Sequence, residues 1–286
     1  MHIVLGASGQ VGSAVVKKLI DKNVPVRAIV RSEEKVMNLL AMGAEVAVAD
    51  ARDLPSLQKA FQGGTSLFVL TPETGQELDV LGETSVILEN YRHAWEGAGI
   101  DRLVGLSSIG AQHDHGTGNL LMSNLLEHAF DGMRVHKTFI RPAYFFSNWL
   151  AFLPVIKESG ILPTYFPLDL AIPMVAPLEV ATCIVNEMLL DVEKPRTKTV
   201  EVLGPGLYTS LDVAEAFSDA LNTEVVPSRI PRELWSSSLA QIGFTPDAIR
   251  NFIEMTDAVI DGRAAAEGVD TIYTKVTLRE FIKASV

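Results

Sequence analysis

The opening twelve residues, Met1-His2-Ile3-Val4-Leu5-Gly6-Ala7-Ser8-Gly9-Gln10-Val11-Gly12, restrict the fold more than any other stretch of the chain. Residues 2–5 read as a short buried strand, and three glycines, Gly6, Gly9 and Gly12, come next at intervals of three. From there the apolar positions Val11, Ala14, Val15 and Leu19 recur at helical spacing. A strand, a glycine turn and a helix N-terminus in direct succession gather unpaired backbone N–H groups and the positive end of a helix dipole at one point, an arrangement that suits a dinucleotide pyrophosphate. On this reading Gly6 permits the turn, Gly9 lets backbone approach phosphate, and Gly12 lets the helix pack on the strand. The spacing is GxxGxxG and not the commoner GxGxxG, so the glycines carry weight through their strand–turn–helix setting.

The same alternation continues beyond residue 22. Strands are expected over residues 24–30, 45–49, 67–70, 102–106 and 135–140. Helices are expected over 32–42 with Ser32 as N-cap, 54–61 with Asp53 as cap, 78–97 and 119–130. Strand and helix in strict turn predict an α/β protein: a Rossmann, doubly wound parallel sheet with helices on both faces. The loops that begin at Gly6, Arg31, Asp50, Thr71 and Ser107 then converge beyond the carboxyl ends of the strands, where such sheets bind ligands. After Arg141-Pro142 the character changes, with aromatics and prolines crowding residues 142–177. We therefore expect a dinucleotide-binding domain over 1–142. A smaller, mixed substrate or partner lobe is expected over 143–286, with some segments returning to the sheet. In that lobe helices are expected at 149–153, at 178–190 and, capped by Ser210, at 211–221.

Bulk properties narrow the function. The chain has 286 residues and a net charge of −11, so it lacks the broad basic footprint that binding to nucleic acid requires. No apolar run reaches membrane-spanning length, and a strand beginning at residue 2 leaves no room for a signal peptide ahead of it. The single cysteine, Cys183, rules out an internal disulfide and suits a reducing, cytoplasmic setting. Nothing in the sequence sets the oligomeric state.

The cofactor type is read at the end of the second strand. A carboxylate there binds the ribose 2′-hydroxyl of NAD. This chain has Arg31 followed by Ser32, and an arginine suits a 2′-phosphate. NADP(H) is expected, with NAD(H) the lesser alternative. Asp50, at the end of the third strand, either bonds the adenine amino group or closes the turn into Asp53.

The turn at Gly6–Gly12, Arg31, Ala49-Asp50 with Leu57, Val104-Gly105-Leu106-Ser107-Ser108, Phe139-Ile140-Arg141-Pro142, Val175-Ala176-Pro177-Leu178-Glu179-Val180-Ala181, Val202-Leu203-Gly204-Pro205 and Thr277-Leu278-Arg279-Glu280-Phe281 together resemble the NmrA-like family of atypical short-chain dehydrogenases/reductases. The resemblance implies either an NADPH-dependent reductase of quinones and related conjugated carbonyls, or a non-catalytic, redox-sensing regulator acting through a protein partner. It also implies that Gly6, Ser8, Gln10, Val11, Gly12, Arg31, Asp50, Ala51, Thr71 and Pro72 match cofactor-contacting positions, and that Ser107 matches the serine beside the nicotinamide.

One departure matters. Short-chain dehydrogenases carry Tyr-x-x-x-Lys on the helix after the fifth strand, where Tyr supplies a proton and Lys lowers its pKa. Here no tyrosine is followed by lysine four residues later, and the position where the family often keeps a lysine is Ser123. A quinone accepts hydride without that relay, provided its ring is held in a desolvated slot. Tyr144, Phe145, Phe146 and Trp149 are candidates to line the slot, with plain core packing as the alternative. Ser107 and His113 are the candidate polar groups at the reacting centre. The pair His113 and His115 lacks a third clear ligand, so no metal is expected.

Overall fold

The central apolar runs of the first half become strands because both of their faces are covered, while Glu45–Val48 at the sheet edge stays partly exposed. Successive residues point to opposite sides, so Ile3, Leu67 and Leu103 enter one core while Val4, Phe68 and Val104 enter the other. The computed structural model describes residues 1–191 and 193–286. In it β1 (His2–Val4), α1 (Gln10–Asp21), β2 (Val26–Val30), α2 (Val36–Ala41), β3 (Glu45–Val48), α3 (Leu54–Phe61), β4 (Ser66–Leu70), α4 (Val80–Trp95), β5 (Arg102–Leu106), α5 (Leu120–His128) and β6 (His136–Pro142) alternate as expected. The second half comprises β7 (Tyr144–Phe145), α6 (Leu153–Ser159), β8 (Ile161–Thr164), β9 (Ile172–Val175), α7 (Pro177–Leu189), β10 (Thr197–Leu203) and β11 (Leu207–Tyr208). It continues with α8 (Ser210–Leu221), β12 (Val226–Arg229), α9 (Trp235–Gln241), α10 (Pro246–Ile260), β13 (Ile272–Tyr273) and α11 (Leu278–Ser285).

The main sheet has eight parallel strands in the order β13-β10-β6-β5-β4-β1-β2-β3. The chain steps outward from β1 to β3, then resumes at β4 on the other side of β1. That reversal opens a crevice between the carboxyl ends of β1 and β4, the place where open α/β sheets bind ligands. Helices α1 and α7 pack together over one face, and α3, α4 and α5 over the other. After residue 142, β10 and β13 rejoin the main sheet. Apart from α7, which covers that sheet, the remaining elements form a lobe with two small sheets, β11-β9-β7 and β12-β8, around a third core that contains Phe146, Trp149 and Phe217.

Several local expectations need correction. The helix expected from Ser32 opens as a 3-10 turn over Glu33–Lys35, and neither Ser32 nor Asp53 makes a side-chain cap bond. The helix expected at 149–153 is a 3-10 segment, Phe146–Phe152, that hands over to α6, whose first turn holds Pro154. Thr209, not Ser210, caps α8: it forms a capping box with Asp212, while the Ser210 hydroxyl pairs with Thr164 at 3.0 Å. The strands β7, β8, β9, β11 and β13 are not expected from the sequence. They are two to four residues long, and β8 and β9 contain proline.

One buried ionic network ties the carboxyl end of β6 to α5. Arg141 donates from Nε and Nη2 to the two oxygens of Glu127 at 2.8 and 2.7 Å, and from Nη1 to Glu267 at 2.5 Å. The side chains of Arg141 and Glu127 are only 7% and 10% exposed. Fully buried Glu201 on β10 holds the same loop by accepting the N–H groups of Glu267 and Gly268 at 2.6 and 2.8 Å. Glu127→Ala leaves Arg141 buried without its bidentate partner, so it should cost about 3–5 kcal/mol in urea unfolding. A loss under about 1 kcal/mol, the scale of a surface pair, would contradict a structural role for the network.

Candidate functional site

The glycine turn leaves the start of α1 open. After β1 the chain turns at Gly6 (φ +62°), and the Gly9 N–H bonds back to the Gly6 carbonyl at 2.9 Å. Gly9 occupies the N-cap position, where no side chain can cap, and the first bond into the helix runs from Ser13 N–H to Gly9 O at 2.9 Å. The N–H groups of Gln10, Val11 and Gly12 therefore find no acceptor among the described residues, and Ser8, Gly9 and Gln10 are exposed beside them. Gly12 allows this closeness: a Cβ there would lie 2.2 Å from the Gly6 carbonyl oxygen. The closest approach it permits is to the turn that follows β1.

The neighbouring strand ends add charge and walls. Arg31, one residue past β2, is exposed and makes no hydrogen bond or ion pair among the described residues. Asp50 accepts the Arg52 N–H at Oδ1 (2.8 Å), while its Oδ2 has no partner among the described residues. The carbonyl of Ala51 is held by Asn90 of α4 at 3.0 Å. Thr71 and Pro72, half-buried, follow β4 on the far side of the crevice. Burial, reinforced by nearby Asp50, pushes the Tyr91 phenol far up, so its hydroxyl stays a donor, aimed at the Leu70 carbonyl 3.4 Å away.

The candidates for the reacting centre are placed differently from expectation. Ser107 lies at the carboxyl end of β5, but its hydroxyl donates to Glu127 Oε1 at 2.6 Å, so the proton that would have reached a nicotinamide amide or a substrate oxygen is committed. His113 has its Nε2 2.9 Å from the Arg263 carbonyl. Trp149 is fully buried and its indole N–H points at the Met174 sulfur, so it packs the lobe core and lines no slot. Tyr144 sits edge-on to Trp149 and Phe166 with centroids 5.8 and 5.6 Å away, and burial raises its phenol to about 12. Phe145 packs against the core that contains Val4 and Val175, and Phe146 is fully buried. His115 pairs with Asp114 in the open. No group of three His, Cys, Asp or Glu side chains that could hold a metal ion occurs among the described residues.

A second aromatic row has no signal in the sequence. Half-buried Tyr165 packs against Trp235 (5.3 Å) and Phe252 (5.4 Å), Phe252 packs against Phe244 (6.0 Å), and Phe244 covers Gly75 in the loop after β4. These rings come from the loop after β8, from α9, from the loop ahead of α10 and from α10 itself, so no spacing along the chain announces them. No helix among the described residues is long and apolar enough to cross a membrane.

Known proteins resemble the whole of this architecture. An NAD(P)H azoreductase from Xenophilus azovorans is 28% identical over 295 residues, covering 99% of this chain and 97% of that one. The triphenylmethane reductase of Citrobacter sp., complexed with NADP(H), superposes with a TM-score of 0.80 at 22% identity, covering 100% of this chain and 99% of the other. An NADPH-dependent quinone oxidoreductase from Escherichia coli, complexed with NADPH, gives 0.80 at 21% identity over the same shares. At these identities the two structures speak to the fold alone. The NmrA-like family model matches residues 2–281, from the first strand into the last helix, and the chain belongs to that family.

Proposed function

We propose that the chain is an NADPH-dependent oxidoreductase that reduces a quinone or similar conjugated carbonyl, a small-molecule acceptor. The observation that carries this reading is the trio of unpartnered N–H groups at Gln10, Val11 and Gly12, facing the crevice between β1 and β4. Two or three aligned N–H groups at a helix N-terminus are what a pyrophosphate needs. The guanidinium of Arg31, without a partner among the described residues, suits a 2′-phosphate, and Asp50 Oδ2, Ala51, Thr71 and Pro72 are assigned to the rest of the dinucleotide. The activity named for the azoreductase supports the same class of chemistry.

When bound, the reduced nicotinamide supplies a hydride to an electron-poor acceptor. The chain's part is to orient and to exclude water. Ser107 is locked by Glu127, and through it by Arg141, so the floor beneath the reacting atoms is rigid. Part of the lobe after residue 142 would close over the acceptor, with Tyr165, Phe244 and Phe252 as its half-buried aromatic wall. The absence of Tyr-x-x-x-Lys supports a second reading, a cofactor-binding sensor that signals to a protein partner.

Purified protein mixed with NADPH and a panel of quinones, enones and azo dyes separates the two. The enzyme reading predicts loss of NADPH absorbance above the uncatalysed rate with at least one acceptor. Tight NADPH binding with no oxidation for any acceptor would overturn it and favour the sensor. Arg31→Ala should weaken NADPH binding by about 1–3 kcal/mol in a fluorescence titration, the range for hydrogen bonds to a charged group, and leave NADH unchanged. Equal losses for both would contradict the 2′-phosphate assignment.

A further inference from the structure

The loop after β4 and the start of α5 are drawn together by the same helix. Thr245, the N-cap of α10, donates its N–H to the Gly75 carbonyl at 2.9 Å and its hydroxyl to the Glu77 carbonyl. Asp247 accepts the Val80 N–H at 2.8 Å, and Gln76 reaches Gly243 at 2.8 Å. On the other side, Asn119 N–H bonds to the Asn251 carbonyl at 3.3 Å. Gly118 makes that approach possible: it has φ +53°, and a Cβ on it would stand 1.9 Å from the same carbonyl. Held this way, the Asn119 carboxamide donates from Nδ2 to Oε1 of Glu73, three residues past the end of β4.

Glu73 is thereby suspended at the carboxyl edge of the sheet, beside the crevice. Glu73 is exposed to water, and protein packs around its carboxyl. That enclosure raises its pKa. The Asn119 hydrogen bond opposes the shift, and the Glu77 carboxyl adds to it. Glu77 is itself fixed by Thr74, whose N–H and hydroxyl both reach Oε1, at 2.9 and 2.6 Å. On α10, Asp247 is taken up by Val80, Asn251 and Arg250. The surroundings are polar and under-bonded: Glu77 Oε2, Thr117 Oγ1 and Asn119 Oδ1 are buried without a partner among the described residues.

We propose that Glu73 is the proton donor of the reduction, with Asn119 as the residue that positions its carboxyl. The inference rests on the reductase reading above. Glu73 Oε1, bonded to Asn119, is the carbonyl oxygen of the acid, and Oε2 carries the proton. As the acceptor gains a hydride from NADPH, its π electrons move onto the terminal oxygen or nitrogen, which takes that proton from Oε2. Water then returns a proton to the carboxylate. The sum is NADPH, acceptor and one proton giving NADP+ and the acceptor reduced by two hydrogens. The arrangement supplies from the β4 loop the proton that a tyrosine on α5 would otherwise give.

The test uses Glu73→Gln and Glu73→Asp, with an enone and a quinone as acceptors. An enolate is a far stronger base than a hydroquinone anion, so loss of a general acid should matter more for the enone. We expect Glu73→Gln to lower kcat/KM for the enone about 100-fold or more, and for the quinone much less. In the wild type kcat/KM for the enone should fall as pH rises through the Glu73 pKa, and that fall should vanish in Glu73→Gln. Glu73→Asp should restore part of the rate. Infrared difference spectra of the cofactor-free wild type against Glu73→Gln should show a protonated carboxyl band that persists above the ordinary carboxylate range. A Glu73→Gln variant with the wild-type enone rate and pH profile, or a band that disappears within the ordinary range, would overturn the proposal. Failure of the wild type to oxidise NADPH with any acceptor would instead overturn the reductase reading and carry this inference with it.

Discussion

The contact between Gly12 and the Gly6 carbonyl sets the geometry on which the other elements depend. Only a residue without a side chain lets α1 begin against its own approach turn, where any Cβ would stand 2.2 Å from the carbonyl oxygen. With the helix that close, Val11, Ala14, Val15 and Leu19 pack against the sheet, and the helix dipole points at the reversal between β1 and β4. The burial of α1 and the exposure of its first N–H groups are two consequences of one close approach.

A second layer of constraint lies across the sheet. Arg141 and Glu127 join β6 to α5, Ser107 is tied in from β5, and Glu267 connects the loop before β13. Buried ion pairs of this kind contribute little net stability against an apolar replacement, but losing one partner is costly. Their use here is to set where the β5 and β6 loops stand. The α10 helix does the same for the loops after β4 and ahead of α5 by hydrogen bonds and one close glycine approach. The edge of the crevice is therefore held from two sides by contacts that span the chain.

This division explains what can be read from residues alone. The strands and helices of the first half are legible because burial on both faces imposes runs such as Leu67–Val69, and because glycines mark the turns. The expected parallel, doubly wound sheet is the one observed. The lobe is not legible in detail, because its strands are two to four residues long and partly proline-bearing, and are held by partners far along the chain. The same distance hides the polar site. Arg141 stands in a recognisable motif, yet nothing local pairs it with Glu127, and Glu73 meets Asn119 across 46 residues. Trp149 misleads for the opposite reason: an aromatic cluster near an expected site reads equally well as lining or as core, and here the core claims it.

If the backbone at the start of α1 receives the dinucleotide, its amides must report it. Amide NMR shifts of labelled protein titrated with NADPH are the direct measurement. The N–H signals of Gln10, Val11 and Gly12 should move together and saturate with the binding curve, since these groups gain acceptors they lack. Saturable NADPH binding that leaves those three amides unmoved while shifting others would contradict that role for the turn.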